Sequence, residues 1–374
     1  MITLKELNIG RILAKHRHQR NITQDELAEY MGVSKASVSK WETEATYPDI
    51  TLLPRLATFF NITIDELMGY EPQMSKEDIR KLYRQLSHDF SVKPFEQVMA
   101  HCQELTKKYF SCAPLLFQIG NLYVNHCALA KTPQDSLTVL EEAMALFIHV
   151  KEESDNVSLT EQALNMEAFC LLRLGREAEV IDLLSDCTSL RMSTETLLSE
   201  AFQLTGNTRK AKQILQAGTY QVILELLNLL IPYLALCPEE NEIFEETCRR
   251  ILAITEIFQL KTLHPSSLLT VYLSIAQEYS RRSDKEKSLD ILEKYAELAV
   301  SDIYPLRLKG DSYFTLLDDW LEECLPLGCS LPREESLVRS DIVKALTDNP
   351  LFASLSGHVR YQHIIRRLEG LLHK

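Results

Sequence analysis

The sequence predicts an all-α chain in which a small helical domain precedes a long array of helix pairs. Three observations predict this fold class. Only 11 of the 374 residues are glycine, and alternating Val, Ile and Thr runs that would indicate strands are almost absent. Capping signals and apolar stripes mark closely spaced helices in residues 1–70. Beyond these, helix pairs recur with a period of about 34 residues, which is typical of stacked helical repeats.

Residues 22–42 have the pattern of two short helices joined by a tight turn. Thr23 followed by Glu26 is a capping box, which begins the first helix. Gly32 lies where the turn needs a positive φ, and Ser34 can cap the second helix. This spacing predicts a DNA-binding helix-turn-helix. An ordinary pair of amphipathic helices is the alternative.

The second helix of this motif, residues 35–42, has a distinctive outward face. Val38 and Trp41 are expected to point to the core. The remaining side chains are short or cationic, which suits base edges and phosphates in a DNA major groove. They are Lys35, Ala36, Ser37, Ser39 and Lys40.

The flanking sequence extends the motif to five helices within residues 1–70. The first is expected at residues 3–18, with Leu4, Leu7, Ile9, Ile12 and Leu13 among its apolar positions. Asp49 is expected to cap the fourth, and Thr63 with Glu66 to open the fifth. This order of helices resembles the lambda-repressor-like, Xre-type DNA-binding domain.

The resemblance implies roles for individual residues. Gln24 would contact a phosphate, and Ser34 and Ser37 would lie near the DNA backbone. The base-reading positions would be Lys35, Ala36 and Lys40. Arg17 and Glu42 match a buried, structural ion pair of phage repressors. The family often has an Asn-Gly-basic loop after the recognition helix, but residues 43–47 are Thr-Glu-Ala-Thr-Tyr here.

The charge of the chain argues against strong DNA binding by a single copy. The formal net charge is −13. Residues 1–70 hold 8 Lys and Arg against 9 Asp and Glu, which leaves about −1 there and −12 in the remainder. Only a local basic edge is expected, from Lys15, Arg17, Arg20, Lys35 and Lys40. Affinity for double-stranded DNA should therefore come from a homodimer on a pseudo-palindromic operator.

A linker is expected at residues 71–76 and a tetratricopeptide-like superhelix at residues 77–374. Small and bulky residues fall at repeat spacing in three stretches, as in Ala168 with Gly175, Ala211 with Leu215, and Ala276 with Ser288. A fourth stretch, with Gly120 and Tyr123, has a longer turn. Helix hairpins without true repeats are the alternative.

A stack of such repeats has a concave face that suits an extended peptide. By repeat position, the residues expected to line this groove are Asn121, Asn125, Asn165, Phe169, Arg173, Gln277 and Arg281. Amide side chains can hold both groups of a peptide backbone, and Arg173 or Arg281 can hold a terminal carboxylate. Each residue taken singly also fits a solvated helix face.

Other functions find little support in the sequence. The nine cysteines are scattered, without zinc spacing, and no secretory signal pattern is present, which favours a cytoplasmic protein without metal or cofactor. Residues 222–236 are apolar, but Glu225 and Pro232 interrupt them, so we expect a buried helix rather than a membrane span. No nucleotide-binding or metalloprotease motif is present, so we expect no enzyme.

The C-terminal residues carry no clear repeat signature. Helices are expected at residues 334–348 and 358–373. The second has an apolar stripe of Ile364, Ile365, Leu368, Leu371 and Leu372. This stripe either caps the array or pairs with a second subunit.

The combination of an Xre-type domain with tetratricopeptide-like helices resembles the Rgg/PlcR/PrgX-type peptide-pheromone receptors. That resemblance implies a quorum-sensing regulator whose groove binds a short peptide. A constitutive repressor, whose repeats serve dimerisation or another protein partner, is the alternative.

Overall fold

The computed structural model of the protein describes residues 9–69, 73–185 and 193–373. The chain divides into two compact units. The first comprises Met1–Ser75 with Lys107–Leu115, and the second comprises Lys76–Thr106 with Leu116–Lys374. Helices and turns account for the described ranges, in which the only extended pairing is an isolated bridge between Arg307 and Ser330. The all-α prediction is confirmed.

The first unit contains the five predicted helices. They are α1 Ile9–Gln19, α2 Gln24–Met31, α3 Lys35–Glu42, α4 Leu53–Phe60 and α5 Ile64–Met68. Their apolar faces meet in one core, in which Leu13, Leu27, Val38, Leu56 and Leu67 are fully buried. The predicted start of the first helix, with Leu4 and Leu7, lies outside the described residues.

One predicted cap belongs to a different element. Asp49 accepts a hydrogen bond from the Thr51 N–H and caps a 3-10 turn, Ile50–Leu52. Helix α4 follows that turn and ends at Asn61, which adopts a left-handed conformation. Asp49 therefore acts as a cap, as predicted, but for the 3-10 turn that precedes α4. Pro54 lies in the first turn of α4, where proline is tolerated.

Most helices of the second unit are longer, at 11 to 28 residues, and three are short. The helices are α6 Lys76–Val92, α7 Phe95–Lys108, α8 Ala113–His126, α9 Pro133–Glu153, α10 Val157–Arg173, α11 Glu177–Leu184, α12 Thr194–Leu204, α13 Thr208–Ala235, α14 Asn241–Ile257, α15 Leu260–Leu263, α16 Pro265–Arg281, α17 Lys285–Val300, α18 Leu317–Cys324, α19 Glu335–Thr347 and α20 Val359–Glu369. The predicted linker, residues 71–76, includes residues 71 and 72, which lie outside the described residues.

The three stretches with repeat spacing form helix pairs, α10 with α11, α12 with α13, and α16 with α17. Gly175 and Gly206 terminate the first helix of two pairs at φ values of 71° and 82°, which glycine adopts without strain. In the third pair, the buried Ser288 hydroxyl donates to the Ala276 carbonyl at 2.9 Å. Small residues therefore mark close helix approach, as the sequence predicts.

Helix α13 departs from the prediction of a buried helix at residues 222–236. It is a continuous helix of 28 residues, with Pro232 inside it. Within the described part of the chain it is the one helix that is long and apolar enough to cross a membrane, and 28% of its most apolar window is buried. Leu215 is also exposed rather than packed between neighbouring pairs. The helix has a buried face and an exposed face, because only one side packs against the core.

The C-terminal stripe packs within its own chain. Ile364, Leu368 and Leu371 are buried in the hydrophobic core of the second unit, and Ile365 packs partly against it. Leu372 alone among the five is exposed, at 52%. This arrangement favours the capping interpretation over pairing with a second subunit.

Candidate nucleic-acid interface and candidate groove

Helices α2 and α3 are joined by a turn whose geometry follows from its capping residues. Thr23 accepts a hydrogen bond from the Glu26 N–H at 3.2 Å, and the Glu26 carboxylate accepts from the Thr23 N–H at 2.7 Å. Gly32 ends α2 at a φ of 72°. Ser34 then accepts from the Ser37 N–H and begins α3. The two helices are therefore fixed by local bonds at both sides of the turn.

The outward face of α3 has the composition that the sequence predicts. Lys35, Ala36 and Lys40 are exposed, while Ser37 and Ser39 are partly buried. Behind this face, Val38 and Trp41 pack in the core. Ser34 and Ser37 place their hydroxyl oxygens 2.9 Å apart at the start of the helix. This is a small, mostly uncharged surface that can approach base edges closely.

Lys35 does not project as a free cation. Its Nζ lies 2.6 Å from Asp25 Oδ2, and both side chains are about 60% exposed. Such an exposed pair is weak, about 0–1 kcal/mol, so a phosphate or guanine can compete for the ammonium group. Lys40 is exposed and forms no ion pair with any residue that the structure describes, so it is the more available cation of the two.

Arg17 and Glu42 form a buried ion pair that joins α1 to α3. Arg17 Nε and Nη2 donate to the two Glu42 carboxylate oxygens at 2.6 and 2.9 Å. Both side chains are less than 10% exposed. Burial alone would raise the pKa of Glu42, but hydrogen bonds from Arg17 and Gln24 outweigh it and hold the pKa below its usual value. The pair sets the angle of α3 rather than facing solvent.

Gln24, the expected phosphate contact, belongs to the same network. Its Nε2 donates to Glu42 Oε2 at 2.8 Å. One N–H of the amide is therefore used inside the domain, and the second N–H is left for a phosphate. The assignment of Gln24 to DNA stays a prediction.

Two contributors to this site were missed in the sequence. A Cβ on Gly10 would lie 2.3 Å from the Trp41 carbonyl oxygen, so only glycine lets α1 approach α3 this closely. An isolated glycine inside a helical pattern was an available signal. Arg20 lies over the rings of Phe59 and Phe60, at 5.4 and 5.8 Å from their centroids. No sequence spacing indicates that contact.

The expected basic edge is weaker than its five members suggest. Arg17 is buried in an ion pair, Lys35 is paired with Asp25, and Arg20 is stacked on aromatic rings. After α3, the chain turns through Glu44, which is exposed and has a φ of 57°. The Thr43 hydroxyl donates back to the Ser39 carbonyl at 2.9 Å. The loop thus closes the helix and adds negative charge instead of phosphate donors.

In the second unit, α8 and α10 carry five of the seven residues expected in the groove. Asn121 and Asn125 are partly buried on α8, and the Asn125 amide donates to the Asn121 carbonyl at 2.8 Å. The Asn125 side chain also lies near the Tyr83 hydroxyl on α6 and lowers its pKa, although burial raises that pKa more. Its amide is therefore partly used in packing α8 against α6. The predicted role of Asn125 in peptide binding is untested.

Asn165, Phe169 and Arg173 follow one another at intervals of four residues and are all exposed on α10. Since residues four apart share a helix face, they form one continuous surface. Arg173 is near enough to the Cys127 thiol, just after α8, to lower its pKa, although burial raises that pKa more. The end of α10 therefore lies near the residue that follows α8, but within the described ranges no hydrogen bond or ion pair joins the candidates of the two helices.

Gln277 and Arg281 lie on α16. Gln277 is partly buried, and Arg281 is ion-paired with Glu278 on the same helix. No recorded contact among the described residues joins them to the α8 and α10 candidates. Two cavities of about 300 and 580 Å³ occur in this unit, and neither is lined by any of the seven residues. Among the described residues, no His, Cys, Asp and Glu cluster could hold a metal ion.

Comparison with known proteins identifies the N-terminal motif. The family model described as helix-turn-helix matches residues 13–67. Residues 13–67 form a helix-turn-helix domain. The prediction made from residues 22–42 is confirmed.

A curated relative is similar over the same region. The HTH-type transcriptional activator BcrR of Enterococcus faecalis is 35% identical over 77 residues. The match covers 19% of this chain and 38% of that protein, so the chain spans well under half of the relative's length.

Two solved structures are similar over a greater length but at low sequence identity. Apo ComR from S. thermophilus is 14% identical, covers 78% of this chain and 93% of its own, and has a TM-score of 0.24. PlcR from Bacillus thuringiensis, in complex with the peptide PapR7 and DNA, is 16% identical, covers 98% and 99%, and has a TM-score of 0.20. Similarity of this degree carries no argument about ligands.

Proposed function

We propose that this protein is a DNA-binding transcriptional regulator that reads its operator with α3. The observation that carries the proposal is the outward face of that helix, where Lys35, Ala36 and Lys40 are exposed together. The face is held rigid from behind by Val38, Trp41 and the Arg17–Glu42 pair. A preorganised helix of this kind suits the major groove of B-DNA.

Two copies of this domain should act together. Residues 1–70 carry a net charge near −1, and three of the five basic residues of the expected edge are already paired or stacked. A single domain therefore neutralises few phosphates and binds weakly. Two domains on a pseudo-palindrome gain from their effective concentration.

The second part of the proposal is control by a short peptide bound along α10 and α8. Asn165, Phe169 and Arg173 offer an amide, an aromatic ring and a guanidinium on one exposed face. These groups suit a peptide backbone, an apolar side chain and a terminal carboxylate. Because the chain beyond residue 70 carries a net charge near −12, the peptide is expected to be neutral or basic.

DNA reading is tested by selection from a random duplex pool, followed by fluorescence anisotropy with the selected site. We expect a two-fold symmetric site whose affinity exceeds that for scrambled duplex by about 10³-fold or more. The affinity should fall with salt more gently than for a basic binder, because few counterions are released. Equal affinity for all duplexes would contradict the proposal.

Peptide control is tested with short synthetic peptides translated from small reading frames beside the gene. A ligand should raise the melting temperature of the full chain and change its DNA affinity by about 5–150-fold. Binding without any change in DNA affinity would leave DNA reading intact and remove peptide control.

The alternative is a constitutive regulator whose helical domain serves assembly only. The exposed apolar face of α13 favours it, because such a face suits a protein partner rather than an extended polar backbone. If operator binding is selective and no locally encoded peptide binds, this alternative replaces peptide control.

A further inference from the structure

Helix α13 presents a long row of apolar side chains to solvent, in which Thr219 is the one polar position. The row runs from Leu215 to Leu236, about 32 Å along the helix at 1.5 Å per residue. Its large members, each at least 40% exposed, are Leu215, Val222, Leu226, Leu229, Tyr233 and Leu236. The opposite face of the same helix, which includes Ile223, Leu227 and Leu234, is buried in the core. The row is therefore displayed on a rigidly held helix.

The spacing of this row is that of a coiled-coil seam. From Val222 to Leu236 the members follow one another at alternating intervals of four and three residues. Leu215 lies seven residues before Val222, and Thr219 falls between them at the same alternation. This is the spacing of the a and d positions of a heptad repeat, which keeps one stripe facing a partner helix over several turns.

Charge is absent from the middle of the row and opposite at its ends. Between Gln213 and Pro238 the one charged residue is Glu225, which is partly buried and engaged in an interaction of its own. Lys212 is exposed just before the row, and Glu239 and Glu240 are exposed just after it. Helix α13 itself ends at Ala235, so the two glutamates lie in the turn that follows it. A row with a basic residue before it and acidic residues after it is complementary to itself when two copies run antiparallel.

We propose that the α13 row is the surface on which a second copy of this chain packs, with the two α13 helices antiparallel. A two-fold interface is self-complementary, since each copy supplies the same patch. The seam would cover the apolar side chains, and each Lys212 would approach the Glu239 and Glu240 of the other copy. Exposed Leu197 and Leu204 on the neighbouring α12 would extend the contact toward the area of about 800 Å² per partner found in specific interfaces.

This inference agrees with the proposed need for two DNA-binding domains but does not depend on it. Assembly through α13 requires neither DNA nor peptide, so it is measured on the full chain without either. If α13 proves not to be the dimer surface, the proposal that α3 reads DNA is unaffected.

The seam is tested by sedimentation velocity of the full chain and of Leu229→Glu. Leu229 is 64% exposed, so the substitution should not disturb folding of a single copy, which circular dichroism and thermal melting verify. We expect a dimer in the wild type and a dimer dissociation constant raised about 30-fold or more in the variant, as for a central interface residue. The matched control is Val359→Glu, which places the same charge on an apolar residue 74% exposed on α20. The control should dimerise like the wild type.

Orientation is tested by charge reversal. Lys212→Glu should weaken the dimer, and adding Glu239→Lys with Glu240→Lys should restore it. No rescue by the triple variant would overturn the antiparallel arrangement.

Three other results would overturn the proposal. The first is a wild type that stays monomeric at high concentration, and the second is an unchanged dimer in Leu229→Glu. The third is a monomeric wild type that sediments with phosphatidylcholine–phosphatidylserine vesicles and loses this binding in Leu229→Glu. The last result would assign the row to a bilayer surface.

Discussion

Helices α3 and α10 are both anchored from behind by an ion pair to a neighbouring helix, but the two anchors differ in burial. Behind α3, the Arg17 and Glu42 side chains are 9% and 7% exposed and share two hydrogen bonds, with Gln24 adding a third to the carboxylate. Behind α10, Lys151 on α9 meets Glu167 through a single contact of 2.5 Å, and the lysine is 26% exposed.

The difference indicates how precisely each candidate face is held. A bidentate, dry pair fixes the rotation of α3, so its outward side chains are preorganised for base edges. A lysine ammonium is a point charge that water still reaches, so α10 is held less rigidly. We expect the DNA-reading face to be the more preorganised surface and the α10 face to adapt to its ligand.

The largest expected effect is the loss of the Arg17 anchor. Arg17→Ala leaves Glu42 buried without its counter-ion and should lower the free energy of unfolding of the first unit by about 3–5 kcal/mol. Trp41, buried beside the pair, reports this unit by fluorescence when the only other tryptophan is removed by Trp320→Phe. Arg11→Ala, at an exposed position on the same helix, is the control and should change little. Equal unfolding curves for both variants would show that the pair does not anchor α3.

The corresponding change behind α10 should be smaller. Lys151→Ala leaves the Glu167 carboxylate, which is 10% exposed, beside the space that the partly exposed lysine occupied. Because water can enter that space, the expected loss is about 1–3 kcal/mol. Thermal unfolding of the full chain followed by circular dichroism measures it, with the exposed Glu152→Ala on the same helix as the control. A loss as large as that of Arg17→Ala would remove the contrast between the two anchors.

The groove residues give the next effect. If Asn121 and Asn165 hold a peptide backbone, each alanine substitution leaves peptide groups unpaired and should weaken binding by about 1–3 kcal/mol. DNA binding without peptide should persist. Calorimetry with the cognate peptide measures this, and Glu153→Ala, exposed at the end of α9, is the control. Unchanged affinity in both asparagine variants would place the peptide elsewhere.

The two lysines of α3 should differ in operator reading. Lys40→Ala should reduce discrimination between operator and mismatched duplexes by about 1–3 kcal/mol, because a lysine facing guanine is a base-specific contact. Lys35→Ala should cost less, since its ammonium group must first leave Asp25. Anisotropy titrations of both variants at one salt concentration test this order, and footprints unchanged in both would remove α3 from the interface.

Acid should weaken the α3 anchor by a smaller and graded amount. The folded-state pKa of Glu42 is lowered from 4.5, so the stabilisation is complete above the unfolded pKa and is lost as pH falls through the lower folded value. Trp41 fluorescence in urea, repeated from neutral pH into that acid range, should show this loss. In Glu42→Gln the loss attributable to this group should disappear, and an identical pH dependence in that variant would assign it to other carboxylates.

The α3 face was predictable because its signals are local. Capping residues, a turn glycine and apolar spacing all fall within the 21 residues from position 22 to 42, and each acts on its immediate neighbours. The family resemblance added the partnership of Arg17 with Glu42, which spacing alone does not indicate. Gly10 against Trp41 and Gln24 on Glu42 were missed because those contacts depend on the angle between two helices.

The sequence by itself determined the helices, their caps and the hairpin turns, because backbone hydrogen bonding and capping act over three or four residues. It also determined that residues 222–236 are apolar, but not which side of that helix is covered. Only the tertiary structure decided that the C-terminal stripe is buried, that Lys35 is paired, and that Leu215 and Leu229 face solvent. Burial depends on which other helices occupy the space around a face, and that packing is set by residues far away along the chain.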